Sequence, residues 1–233
     1  MSECLVTKLK SSVNDDYLRK MGELRFDINS TSSHSIQLKV ASSNAVLRIV
    51  GDGTYTPNGG SPTKECKLIT DWNNGTLSAG KYTVFISDKY NLRFNASWSG
   101  SYSDRWGISM DMKELQYSSF INQCSFAFTS VYGSISDIPS VPSITTVNFS
   151  NTKVEGDVSV IGGKFYNATE ILFSEVPTVY GTLESMLNLM VSKGRNSGTC
   201  KVYMRFSGVT YQGEPVTDEY KTVTFTQGSY SVS

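Results

Sequence analysis

Val147-Asn148-Phe149-Ser150-Asn151-Thr152-Lys153-Val154-Glu155-Gly156-Asp157-Val158 combines an apolar-x-apolar strand, a polar turn and a glycine flanked two residues away by valines. Three other stretches carry the same signature: Ser125–Phe128 with Val131–Ile135, Ile171–Ser174 with Val179–Leu183, and Met204–Ser207 with Tyr211–Gly213. The glycines fall at 133, 156, 181 and 213, at intervals of 23, 25 and 32 residues. A lone strand with its return segment cannot bury an apolar face, whereas stacked copies share one core and a parallel sheet. The spacing therefore predicts a ladder of about four units. Phe149 and Phe173 point inward from equivalent positions, and Phe206 extends their column. Ile144, Leu172, Met186, Leu187 and Leu189 fill the interior, Leu183–Val191 form the one helical turn, and Ser192–Gly198 supply the insertion that the third interval demands.

The first two intervals lie inside the window of about 20–29 residues that marks leucine-rich repeats. An ordinary antiparallel sheet with evenly spaced strands is the rival. Tyr220–Thr226 alternates strictly and is expected to cap the open end, the usual remedy for an exposed terminal repeat. The glycines let the backbone turn where a Cβ would clash.

Working outward toward the N-terminus, Leu24–Ile28, Ile36–Val40 and Val46–Val50 alternate apolar and polar residues at period two, the pattern of half-buried strands. Polar turns at Asn29–Ser33 and Ala41–Asn44 suit antiparallel pairing of consecutive strands. Gly51–Pro62 reads as a longer exposed loop. Cys66–Thr70 and Tyr82–Ile86 continue the strands, the latter entered through the Ala79-Gly80 corner. Ser97–Ser103, rich in Ser and Gly, is the boundary candidate. The expected fold is mainly β: an N-terminal small β-sandwich or sheet domain over residues 1–100, for docking or oligomerisation, then a short leucine-rich-repeat-like solenoid over 101–233.

Composition agrees with strands. Among 233 residues there are 13 Tyr, 11 Phe, 35 Ser and 21 Thr, while only 18% are charged. Lys plus Arg and Asp plus Glu both number 21. No basic stripe is present, which argues against nucleic acid as a partner, and zero formal net charge permits self-association. Met1–Lys8 lacks the apolar core of a signal peptide, and no run reaches the ~18 apolar residues of a membrane span. Cys4, Cys66, Cys124 and Cys200 stand far apart without a CxxC pair, so buried reduced thiols are expected rather than zinc ligands or disulfides.

Phe149-Ser150-Asn151-Thr152-Lys153-Val154-Glu155-Gly156-Asp157-Val158 resembles the "L-S-N-T-x-V-x-G-D-I" rung of leucine-rich repeat proteins from Bacteroidetes and their phages. Met110–Tyr117 is similar to the "I-D-L-x-D-L-x-Y-C" segment that opens such ladders. Cys4–Lys10 with Gly22–Phe26 resembles structural proteins of crAss-like Bacteroides phages. The resemblance covers roughly 108–215 and implies a virion component, a head fibre or capsid decoration protein, assembled in the host bacterial cytoplasm. Its partners would be capsid or other virion proteins and further copies of itself. The alternative is an adhesion module recognising a bacterial cell-surface glycan or protein. The resemblance implies no catalytic residues.

The residues likewise offer no catalytic, cofactor or metal site, and the chain is expected not to be an enzyme. His34, the only histidine, reads as a solvated turn residue rather than a triad member. Asp15, Asp16 and Asp52 lack a calcium-loop pattern. Asp104, Asp111 and Glu114 are weighed as a glycosidase pair and read as structural. No phosphate-binding glycine motif is present. Five N-x-[ST] sequons, at Asn29, Asn74, Asn95, Asn148 and Asn167, are expected by chance in so hydroxyl-rich a chain. Trp72, Trp98 and Trp106, with Tyr102, could form a sugar platform, but read first as packing residues.

Overall fold

A computed structural model describes residues 22–41, 43–94, 107–120, 122–216 and 220–233. The fold is mainly β, and the described residues form four sheets and two short α-helices. The boundary candidate Ser97–Ser103 lies outside the described residues.

The N-terminal part is built from β1 (Leu24–Ser30), β2 (His34–Val40), β3 (Val46–Gly51), β4 (Tyr55–Pro57), β5 (Glu65–Lys67), β6 (Trp72–Leu77), β7 (Gly80–Ile86), β8 (Leu92–Phe94), β9 (Ile108–Ser109) and β10 (Ser119–Phe120). They form two sheets, ordered β5-β3-β7-β1-β9 and β10-β8-β2-β6-β4. Alternation within β1, β2 and β3 buries one side-chain set and wets the other. Consecutive strands do not pair as expected. β1 bonds to β7 and β9, while β2 bonds to β6 and β8. Placing β1 and β2 in different sheets lets Phe26, Ile28, Ile36 and Leu38 share one buried layer, which a hairpin would leave half exposed. Gly51–Pro62 is not merely an exposed loop, because it contains β4 and fully buries Tyr55.

The C-terminal part alternates two kinds of strand: β11 (Gln123–Ser125), β12 (Tyr132–Ser134), β13 (Thr146–Asn148), β14 (Lys153–Asp157), β15 (Glu170–Leu172), β16 (Val179–Thr182), β17 (Ser197–Tyr203) and β18 (Gly208–Tyr211). The odd-numbered strands pair in parallel as β11-β13-β15-β17, the even-numbered ones as β12-β14-β16-β18. Each strand pair is one rung. Cys124, Val147, Ile171 and Val202 occupy one inward row, all fully buried.

The bend inside every rung is the same. Phe128, Asn151, Glu175 and Phe206 adopt left-handed φ of 59°, 57°, 58° and 53°. Each lies two residues after the column residues Phe126, Phe149, Phe173 and Met204. Inter-rung bonds run through the bend: the Phe149 and Asn151 amides donate to Leu172 and Ser174 carbonyls at 2.9 and 2.8 Å. Those of Phe173 and Glu175 donate to Tyr203 and Arg205 at 2.8 and 2.7 Å. Hydroxyls of Thr129, Thr152 and Ser207 each donate to the column residue's carbonyl at 2.7 Å.

A capped helical turn precedes the first unit, and the second strands β12, β14 and β16 each lead into another, whereas β18 turns into a hairpin. Asp111, Ser134, Asp157 and Thr182 accept from the amides of Lys113, Ser136, Ser159 and Ser185. The turns lengthen along the chain, from 3-10 turns at Met112–Leu115 and Ile135–Asp137 to α1 (Ser159–Lys164) and α2 (Leu183–Ser192). Sequence periodicity exposes only the last. Gly181 has φ 106°, and a Cβ there would stand 2.7 Å from the capping carboxylate of Asp157.

The fourth unit departs from the sequence alignment by two residues in its first strand and by four at the glycine position. The strand register aligns Val202 with Ile171 and Val209 with Gly181. Met204 therefore continues the column and is fully buried, whereas Phe206 falls on the bend and is 61% exposed. Gly213 sits in the turn between β18 and β19 (Glu214–Pro215), and is not a repeat glycine. Leu189 is 36% exposed, and Leu172 lies on the sheet's outer row with Asn148 and Tyr203. Ile144, Met186 and Leu187 are fully buried, as expected.

β20 (Lys221–Thr226) covers the end of the first ladder by pairing antiparallel with β17, and β21 (Ser229–Val232) adds to it. The insertion before β17 carries Arg195, 5% exposed, which donates to the carbonyls of Tyr166 (3.1 Å), Ala168 and Thr199 (2.7 Å) and lies 4.3 Å from the Phe225 ring centroid. One continuous core runs from Leu24 to Phe225. At the junction β9 pairs with β1, while Ile108 and Met110 carbonyls accept from Ser130 and Tyr132 of the first rung.

Phe149 stacks between Phe126 and Phe173 at centroid distances of 5.7 and 5.6 Å. Phe149→Ala is expected to destabilise by about 3–5 kcal/mol and Phe206→Ala by less than about 0.5 kcal/mol, both measured by urea unfolding. Arg195→Met leaves three carbonyls without their donor and is expected to cost roughly 3 kcal/mol in the same assay.

Candidate functional site

The outer row of the first ladder forms the floor of a groove. Asn148, Leu172 and Tyr203 lie side by side because they occupy matched positions on β13, β15 and β17. Their side chains face out since Val147, Ile171 and Val202 face in. The left-handed bends form one wall with Ser150, Ser174, Glu175 and Arg205, and Tyr220 closes the C-terminal end of a cavity of about 210 Å³.

This surface is braced by its own hydrogen bonds. Asn148 Oδ1 accepts from the Ser150 amide at 3.0 Å, and Ser150 Oγ from the Ser174 amide at 3.1 Å. Tyr203 and Tyr220 stack at 4.7 Å with an interplanar angle of 20°. The Arg205 guanidinium lies 4.4 Å from the Phe206 ring centroid. Tyr220 and Phe206 are 51% and 61% exposed. One stacked tyrosine pair and one guanidinium laid on a phenylalanine ring thus stand near the carboxylate of Glu175. Such a surface binds by stacking and charge-assisted hydrogen bonds; its single carboxylate cannot supply the paired acid and base of glycosidic cleavage.

The residues weighed from the sequence do not converge here. His34 opens β2 and is 5% exposed, with Nε2 2.9 Å from Ser30 Oγ. It is therefore not a solvated turn residue: it shares the inward set with Ile36, Leu38 and Val40, so parity buries it. Asp111 caps a 3-10 turn, and Glu114 accepts from the Arg25 amide of β1 at 3.1 Å. Beside them the Tyr132 phenol is raised above its ordinary pKa, first by burial and then by Asp111 and Asp27. Asp52 is exposed on its loop. Trp72 lies on the outer face of its sheet, with Lys39 Nζ 5.7 Å from its ring centroid. Asp15, Asp16, Asn95, Trp98, Tyr102, Asp104, Trp106 and Cys4 lie outside the described residues. Among the described residues, no three His, Cys, Asp or Glu side chains gather to hold a metal ion. No described helix is long and apolar enough to cross a membrane.

Tyr203, Arg205 and Tyr220 are absent from the sequence-derived candidates. Their signal is the alternation Lys201-Val202-Tyr203, which turns the tyrosine outward once Val202 is taken as core.

No protein-family model matches the chain, no curated protein matches it, and no solved structure matches it.

Burial alone pushes the Cys124 thiol well above its ordinary pKa, and mainly burial raises Cys200 to about 12. Cys66, on edge strand β5, is only half-buried, and its thiol is raised by burial first and then by Glu65. Native alkylation with iodoacetamide at pH 8, mapped by peptide mass spectrometry, is expected to label Cys66 well before Cys124 and Cys200, which need unfolding to react.

Proposed function

We propose that the chain is a non-enzymatic interaction protein, in which an N-terminal β-sandwich carries a short solenoid of the leucine-rich-repeat type. Its setting, inferred from the sequence resemblance, is a phage virion, as a head fibre or capsid decoration component acting through protein–protein interfaces. The solenoid reading is supported by the recurrence of one bend in all four units and of a capped turn after three of the four second strands. The observation that carries the docking role is the outer groove, where Tyr203, Tyr220 and Arg205 are presented on braced rungs, with Phe206 exposed beside Arg205. Tyr and Arg are the residue types that dominate interface energetics, and a surface held by its own hydrogen bonds loses little entropy on binding. With a formal net charge of zero, copies of the chain do not repel one another strongly, so symmetric self-association fits the same role. An adhesion module is the second reading, favoured by the half-buried Trp72 ring on the outer face of its sheet, away from the ladder.

Quantitative mass spectrometry of particles of the encoding phage is expected to find the chain in stoichiometric copies, and its absence from intact particles would sink the virion role. Tyr203→Ala combined with Arg205→Ala is expected to weaken attachment to chain-free particles by at least about tenfold without lowering the melting temperature.

A further inference from the structure

The outer face of the sheet β10-β8-β2-β6-β4 has no part in the ladder groove. Here the cross-strand partners are Ser35 with Thr76, Gln37 with Asn74 and Lys39 with Trp72, while Thr56 on β4 lies opposite Thr76. Ser35, Gln37, Asn74 and Thr76 are exposed, and Trp72 is half-buried. All these positions share one strand face, because Ile36, Leu38 and Leu77 take the other.

Two open depressions of about 390 and 340 Å³ lie along this region and meet at Pro57, Asn58 and Asn74. The first crosses the hydroxyl and amide rows toward Ser35 and Gln37; the second runs past Trp72 to Ile69, which is 60% exposed. The trough is shaped by fixed parts. The Asn58 amide donates to the Asn74 carbonyl at 2.8 Å. The Asn73 side chain clamps the bend before β6, accepting from the Ile69 amide and donating to the Ile69 and Asp71 carbonyls, each at 2.9 Å. Asn74 is left pointing outward beside Trp72.

We propose that this trough binds a neutral oligosaccharide or polysaccharide chain. A sugar needs an aromatic ring for its apolar C–H face and side chains that both donate and accept around its hydroxyls. Trp72 supplies the ring, and Gln37, Asn74, Ser35, Thr56 and Thr76 supply the amides and hydroxyls. Its charged groups are two separate lysines, Lys67 in the lining and Lys39 beside the Trp72 ring, fewer than the row of cations that a phosphate backbone or a polyanionic glycan calls for. Its open length suits an extended chain rather than an enclosed small molecule. The site deepens the adhesion reading, and it fails separately from the docking reading because Tyr203, Arg205 and Tyr220 lie outside the trough.

The test is native gel electrophoresis of the full chain through gels containing a soluble α-glucan, a mannan or a β-glucan, with polygalacturonate as the charged counterpart. At least one neutral polymer is expected to retard the protein. Trp72→Ala and Asn74→Lys are expected to weaken that retardation about tenfold or more, with Trp72→Phe intermediate and Tyr203→Ala unchanged. The Asn74 side chain is exposed, so its variant stands in if Trp72→Ala loses a cooperative melt. Retardation by none of the neutral polymers, retardation by polygalacturonate alone, or retardation that survives both Asn74→Lys and a folded Trp72→Ala would overturn the proposal.

Discussion

Four residues that are not glycine, Phe128, Asn151, Glu175 and Phe206, are held in the left-handed backbone region at the same point of four successive units. An L-residue in that region costs on the order of 1 kcal/mol or more, so the bend persists only where neighbours over-determine it. They do. The amides of Phe128, Asn151 and Glu175 each donate to a carbonyl of the following unit, extending the parallel pairing through the turn. Once the bend is fixed, the residue two before it can only point inward, which stacks Phe126, Phe149, Phe173 and Met204 into one column. The same bend lifts the residues beside it into the wall of the outer groove. Core and surface are therefore two consequences of one backbone constraint.

The N-terminal sheets supply what the ladder lacks at its beginning. A first unit with no predecessor would leave the Ser130 and Tyr132 amides unpaired, a cost comparable to the loss of hydrogen bonds. The strand Ile108–Ser109 and the residues just after it satisfy them while also pairing with β1. At the other end the antiparallel strand Lys221–Thr226 covers β17, and Arg195 pins the inserted loop against Phe225. Both open ends are closed by parts of the same chain, and the hydrophobic core passes through the junction without a break. The proposed docking groove and the proposed glycan trough are both mounted on this scaffold.

Much of this was readable from residue order. Period-two alternation located strands at Leu24–Ile28, Ile36–Val40 and Tyr220–Thr226, because one face of each is wet, and the structure extends the first two by two residues. The recurring Phe, valine and glycine located the ladder units, since a buried column and a crowded turn tolerate few residue types. Pairing partners were not readable: alternation says which face is buried, not which sheet holds the strand, so β1 and β2 were expected to pair. Nor was the two-residue shift in the fourth unit, where methionine replaces the phenylalanine and a chance glycine at 213 imitates the repeat. The short helical turns escaped because they are set by single caps rather than by an apolar period. His34 misled through its serine-rich neighbours, although its parity with Ile36 already placed it inside. The groove was hidden because Tyr220 meets Tyr203 across 17 residues of sequence.

The central claim is that inter-unit hydrogen bonds through the left-handed bends make the ladder and the N-terminal sheets one cooperative structure. Native-state hydrogen exchange of the Phe149, Asn151, Phe173 and Glu175 amides, compared with those of β1 and β7, tests it most directly. The account expects these bend amides to exchange only through global opening, with the same denaturant dependence as Phe26 and Val84. Fast exchange at Asn151 and Glu175 while Phe26 and Val84 stay protected would contradict it.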